Sequence, residues 1–89
     1  MIKIVRADWT GAHLLALKFS DGSEGLYDFA SLICKDTVLT RPLTDTKYFQ
    51  RFFLELGALC WPNGLEFNGA SLHKDLLIAG KLTSLARAA

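Results

Sequence analysis

The chain has little of what specialised sequences carry in excess. Charge of one sign is the first lack: ten Lys and Arg against nine Asp and Glu leave a formal charge of +1 over 89 residues. The basic side chains stand singly among acids, whereas a protein held to nucleic acid by phosphate contacts shows a basic stripe. There is no strong nucleic-acid signal. No stretch approaches the roughly 18 apolar residues of a membrane span, so no membrane is expected. The opening "MIKIVRADWTG" carries Lys3, Arg6 and Asp8 and lacks the apolar core of a signal peptide. Cysteine is scarce: Cys34 and Cys60 form no CxxC and read as reduced, buried thiols, which gives a cytoplasmic expectation. With His13 and His73 they fall at none of the short ligand spacings of zinc sites, so no metal is expected. The seven glycines stand singly at turn positions, so there is no phosphate-binding loop and no cofactor is expected. Repeats and low-complexity tracts are absent as well.

What is present is apolar: 51% of the residues, with six Phe, two Trp and two Tyr. That excludes a disordered chain. Residues 1–89 make one domain, because a second core would leave neither half large enough to stand alone. So small a domain has few interior positions, and apolar side chains are left over for an interface.

The first third reads as an antiparallel meander. "IKIVRADW", "HLLALKF" and "EGLYDF" are strand-like runs separated by "TGA" and "SDGS". Asp21-Gly22 fits a two-residue type I′ turn, which needs positive φ at both central residues, and Gly11-Ala12 fits type II′. Two-residue turns put Leu17 opposite Leu26, Phe19 opposite Glu24, Leu15 opposite Asp28, Trp9 opposite Leu14 and Ala7 opposite Ala16. One face then carries Val5, Ala7, Trp9, Leu14, Ala16, Tyr27 and Phe29, the expected core. The other carries Ile4, Leu15, Leu17, Phe19 and Leu26 among Arg6, Asp8, Glu24 and Asp28. It is too apolar for an ordinary solvent face, so a helix, a second hairpin or a partner is expected to cover it. A bulge in either turn would swap the two faces.

Asp28 is placed to cap the short helical turn of "DFASLI". "CKDTVLTRPLT" reads as a loop with at most a short extended piece. In "LTDTKYFQRFFLELG" Asp45 is a good N-cap, and Phe49, Phe52, Phe53 and Leu56 follow helical spacing up to Gly57. Phe52-Phe53-Leu54 also reads as a strand leading into a hairpin through "ELGALCW". In "WPNGL", Pro62 and Asn63 fit the centre of a type I turn and Gly64 the left-handed residue after it. That loop pairs Trp61 with Leu65 and Leu59 with Phe67 on one face, and turns Cys60 and Glu66 to the other. A C-terminal helix is expected over about 71–86, with Ser71 as N-cap, Leu72, Leu76, Ala79 and Thr83 in line, and Ile78, Leu82 and Leu85 widening the apolar arc. Gly80 marks a kink or an early end. The expected fold is α+β: N-terminal meander, short central helix, second hairpin, C-terminal helix.

No catalytic constellation emerges. "GASLH" lacks the second Gly of a nucleophile elbow. Three motifs in order, "FSDGSEGLYDFASL" at 19–32, "PLTDTKYF" at 42–49 and "WPNGLEFNGASL" at 61–72, together resemble the bacterial family called domain of unknown function 2442, over about residues 2–73. The resemblance implies a small α+β domain with an N-terminal meander, a short helix at 45–51 and a strand starting at Phe52-Phe53-Leu54. It also implies an antitoxin-like role, since some members are encoded beside another small protein. Others carry a helix-turn-helix after this domain, for which the residues beyond 73 have no room. The family often has Pro and an acid where this chain has Gly69-Ala70, and Tyr where it has His73. No catalytic residue carries over.

The leading expectation is a non-enzymatic module that masks a small protein partner through Leu17, Phe19, Leu26, Trp61 and Glu66. The alternatives are a small enzyme or ligand-binding protein with a pocket near Trp61, Glu66 and His73, and a homodimer that consumes the spare apolar face.

Overall fold

Strands β1 (Ile4–Gly11), β2 (Leu14–Phe19) and β3 (Ser23–Asp28) form an antiparallel meander, and β7 (Thr83–Ser84) adds two residues at its far edge. A second antiparallel sheet is built from β4 (Phe53–Glu55), β5 (Ala58–Cys60) and β6 (Glu66–Phe67). Between and after them lie the helices α1 (Ala30–Ile33), α2 (Thr46–Phe49) and α3 (Gly69–Ile78), with a 3-10 turn at Arg41–Thr44. The fold is α+β. These are features of a computed structural model that describes residues 1–84.

Turn chemistry places the meander differently from the sequence expectation. Ser20, Asp21 and Gly22 form a three-residue loop: the Gly22 N–H donates to the Phe19 carbonyl at 3.0 Å, and Gly22 has φ +87°. This is a type I turn followed by a left-handed glycine, not the two-residue type I′ turn expected of Asp-Gly. At the other end the turn residues are Ala12 and His13, with Gly11 (φ +131°) in a bulge at the end of β1. Each change shifts pairing by one residue, and side chains alternate with period two, so β2 is turned over relative to both neighbours. Leu17 pairs with Gly25 rather than Leu26, Leu15 with Tyr27 rather than Asp28, and Ala7 with Leu17 rather than Ala16.

The consequences are specific. Leu15, Leu17 and Phe19 point into the core, with Leu17 and Phe19 each 1% exposed. Leu14 and Ala16, expected inside, lie on the outer side in register with Asp28 and Leu26. Ile4 is buried while Val5, at a bulge, is exposed. Trp9 shares the inner side with Leu15 but lies past the end of the core, 42% exposed, its indole N–H donating to the Ala12 carbonyl.

The second layer follows local rules more closely. The Asp28 carboxylate accepts the Ala30 N–H at 2.9 Å, although Phe29 holds the N-cap position of α1. The stretch between Cys34 and Pro42 contains no strand, and Pro42 is the second residue of the 3-10 turn that Arg41 opens. Asp45 caps α2 by accepting the Lys47 N–H. The chain then leaves the helix, and Phe53–Glu55 is strand, so the helical stripe that included Phe53 and Leu56 does not form. In the Trp61–Leu65 turn, Gly64 (φ +93°) donates to the Trp61 carbonyl and Trp61 to the Leu65 carbonyl; Leu59 pairs with Phe67. Asn63 fixes that turn to the preceding segment, its side-chain amide donating to the Leu39 carbonyl at 3.0 Å.

Helix α3 is capped by Asn68, which accepts the Ala70 N–H, and not by Ser71, which is exposed in the first turn. It ends at Gly80 (φ +72°), where Gly80 donates to Leu77 and Lys81 to Leu76, the paired bonds of a Schellman cap. The expected helix to 86 is therefore cut short: Leu82 is past the helix, Thr83 is in β7, and Ile78 is exposed. Leu85 lies outside the described residues.

The core gathers at Phe29, whose ring lies 4.5–5.9 Å from those of Tyr27, Phe49, Trp61 and Phe67. Trp61 is fully enclosed, and its Nε1–H donates to the Phe49 carbonyl at 2.9 Å, which meets the one polar demand of a buried indole. Helix α3 reaches the meander where β3 has no side chain. A Cβ at Gly25 would lie 2.8 Å from the Lys81 carbonyl oxygen and 3.0 Å from Leu76 Cδ1. The Tyr27 hydroxyl donates to Asp75 at 2.7 Å, a second tie between strand and helix.

Gly25→Ala is expected to lower unfolding free energy by about 1–3 kcal/mol, the usual cost of overpacking, as measured by urea denaturation. Burial first, and Asp75 second, push the Tyr27 phenol above its ordinary value of 10.0. A raised folded-state value means the unfolded chain loses its proton first, so stability is complete below about pH 10 and falls as pH rises beyond it. Tyr27→Phe should lose about 1 kcal/mol at neutral pH and show a shallower alkaline decline in chemical denaturation.

Candidate functional site

The residues expected to bind a partner are dispersed. Leu17 and Phe19 are core residues because β2 is inverted, and Trp61 is enclosed by the aromatic cluster. None of the three is available to another protein. Leu26 is 46% exposed on the outer side of the meander, in a shallow groove of about 460 Å³ that also contacts Arg6, Asp8, Lys18, Glu24 and Lys81. Four of its charges compensate in pairs: Arg6 bonds Asp8 at 2.8 Å, and Lys18 stands directly opposite Glu24 across the β2–β3 ladder. Lys81 leaves one positive charge in excess, too little to define a charged ligand.

The alternative pocket does not assemble. Trp61 is inside the core and Glu66 lies on the exposed side of β6. His73 packs edge-on against Phe19 and donates from Nε2 to Asp21 at 3.0 Å. Asp21 also accepts the Ser23 hydroxyl and N–H; these bonds first, and His73 after them, hold its carboxyl below the usual range. The serine bonds the aspartate rather than the histidine, so this Ser–Asp–His set tethers α3 to the β2–β3 loop and has no activated nucleophile. Among the described residues no three of His, Cys, Asp and Glu cluster as metal ligands, and no helix is long and apolar enough to cross a membrane.

The feature that packing leaves unexplained is the β4–β5 hairpin. Its strands pair Glu55 with Ala58, so Leu56 and Gly57 are the two loop residues, at φ +52° and +82°. Positive φ at both centres is the type I′ turn, which favours Asn-Gly or Gly-Gly. Gly57 is required: a Cβ there would sit 2.6 Å from Lys3 Cβ. Leu56 is not required, and it stands 92% exposed at the tip.

Strand alternation extends this apolar tip into a surface. Phe53, Glu55, Ala58, Cys60 and Glu66 share the outer side of the second sheet, while Leu54, Leu59 and Phe67 share the inner one. Phe53 is partly exposed, and Glu55 and Glu66 line a depression of about 180 Å³ with Met1, Lys3, Leu56 and Gly57. Cys60 is buried beneath this surface. Burial first, then the charges of Glu66 and Glu55, push its thiol above the ordinary value, the opposite of what a nucleophilic cysteine needs. The site can offer an apolar contact flanked by carboxylates. Sequence reasoning found Glu66 and left Leu56 between a helical stripe and a hairpin through "ELGALCW"; the structure takes the hairpin, with Leu56-Gly57 as its two-residue loop.

Comparison with protein-family models, curated proteins and solved structures returned no match.

Native-state alkylation should separate the two thiols. Cys34, expected to be buried, is exposed just past the end of α1, whereas Cys60 is buried, so iodoacetamide at pH 8 is expected to modify Cys34 alone, with Cys60 reacting only after denaturation. Equal labelling rates by intact-mass spectrometry would contradict the placement of Cys60.

Proposed function

We propose that this domain is a non-enzymatic protein-binding module that engages a small partner through Leu56 and the outer side of the second sheet. The observation that carries this reading is the conformation and exposure of Leu56 together: φ +52° with 92% of the residue open to water. An L-residue in the left-handed region costs roughly 1–2 kcal/mol, and an exposed leucine recovers none of that by burial. Folding alone would be served better by Asn or Gly at this position. Ala12 and Asp36 share this backbone conformation, but Leu56 alone of the three also holds a large apolar side chain in water, which supports a contact made with something else.

Phe53 extends the apolar contact, and Glu55 and Glu66 supply a polar rim, the usual anatomy of a specific interface. The fitting partner carries an apolar pocket bordered by basic side chains. An antitoxin-like role, masking a partner encoded nearby, accords with the resemblance noted in the sequence. It rests on that resemblance and not on the Leu56 geometry.

Co-expression with the product of the neighbouring gene, followed by size-exclusion chromatography, tests the reading. The two proteins are expected to elute together, and Leu56→Asn to elute apart from the partner. The same substitution is expected to raise the domain's own stability by about 1 kcal/mol, since Asn tolerates the left-handed region. Separate elution of two well-folded wild-type proteins would count against the proposal, as would a complex indifferent to Leu56→Asn.

A further inference from the structure

Strand β1 is the terminal strand of its sheet, and among the described residues nothing pairs with its outer side beyond Ile4, whose N–H donates to the Gly57 carbonyl at 2.9 Å. Bulges interrupt its pairing between Ile4 and Arg6 and between Trp9 and Gly11. The regular edge between them is Arg6, Ala7, Asp8 and Trp9. Natural edges are usually blunted by charges that repel an incoming strand. Here Arg6 and Asp8 carry opposite charge two positions apart; they bond each other at 2.8 Å along the strand, and with side chains 71% and 55% exposed both keep room for a second partner.

That spacing is self-complementary. When two copies of one strand pair antiparallel about a two-fold axis, each residue meets a residue of the same hydrogen-bonding parity. The axis must then pass through a residue opposite itself. Centring on Arg6 places arginine against arginine, and centring on Asp8 places aspartate against aspartate. Centring on Ala7 places Arg6 opposite Asp8 twice, with the small Ala7 at the axis. The same register brings Trp9 of each copy to the Val5 end of the other, the two exposed large apolar residues of this strand.

We infer that two copies of this chain associate through the outer edge of β1, antiparallel about Ala7, with Arg6 of each opposite Asp8 of the other. The charges admit this one register and oppose its two nearest neighbours, so the edge is both protected and selective. The contact adjoins the Leu56 tip where Ile4 donates to Gly57, but it does not use the Leu56 side chain, and each surface is tested by its own substitutions.

Sedimentation equilibrium of the full chain at low ionic strength tests it. The wild type is expected to be a reversible dimer. Arg6→Asp and Asp8→Arg each turn two attractive contacts into repulsive ones and should each weaken the dimer by roughly tenfold or more. The double exchange Arg6→Asp with Asp8→Arg should restore it, together with the pairing of positions 6 and 8 within each strand that the single variants lose. An equimolar mixture of the two single variants should form a heterodimer; neither chain regains that internal pair there, so the mixture separates association from folding. A wild-type monomer across the concentration range would overturn the inference, and so would a dimer insensitive to both reversals or a double exchange that fails to recover.

Discussion

A single hydrogen bond, from the Gly22 N–H to the Phe19 carbonyl, closes the loop on which the rest of this structure depends. It makes Ser20–Gly22 a loop of three residues instead of two, and so sets which residue of β3 each residue of β2 faces. With that register Leu15, Leu17 and Phe19 face inward and Gly25 comes to lie where helix α3 passes. Shifted by one residue, the strand would bury Leu14, Ala16 and Lys18 and expose Leu15, Leu17 and Phe19. The Asp21 side chain reinforces the loop through Ser23 and links it to α3 through His73.

From that register the remaining contacts follow as packing against one inner side. Phe29 stands where the meander, α2 and the second sheet converge, and Trp61 ties α2 to the second sheet through Phe49. The two sheets also meet through backbone: Ile4 donates to Gly57, and a Cβ at Gly69 would lie 2.8 Å from the same Gly57 carbonyl. The hairpin tip is thus held rigidly at its glycine while the neighbouring leucine projects into water. A fixed backbone that presents a free apolar side chain suits recognition better than a mobile loop would, since less ordering is left to do on binding.

Much of this was legible in the sequence where chemistry is local. The Trp61–Leu65 turn depends on Asn63 and Gly64 alone, and the Asp45 cap on its own carboxylate. The meander's existence was legible as well. Its register was not, because Ser-Asp-Gly-Ser suits both loop lengths and the tertiary burial of Leu17 and Phe19 decides between them. Within β2 the side carrying Leu15, Leu17 and Phe19 is more apolar than the side carrying Leu14, Ala16 and Lys18, but two-residue turns would have set it beside Arg6, Asp8, Glu24 and Asp28. The end of α3 was signalled by Gly80, but the return of the chain to pair with β3 has no local signature. Leu56 was obscured because its spacing from Phe49, Phe52 and Phe53 also fits a helix. What excluded the helix was pairing of Phe53–Glu55 with β5, a non-local event. The same inversion of β2 withdrew Leu17 and Phe19 from the surface first expected to bind a partner, while Leu26 and Glu66 stay exposed.

The register of β2 is therefore the central claim, since the core, the helix seat and the remaining surface all derive from it. Nuclear Overhauser contacts between backbone protons of the isotopically labelled protein test it most directly. The account predicts cross-strand contacts pairing Leu17 with Gly25, Leu15 with Tyr27 and Ala7 with Leu17. Contacts pairing Leu17 with Leu26 and Ala7 with Ala16 would contradict it.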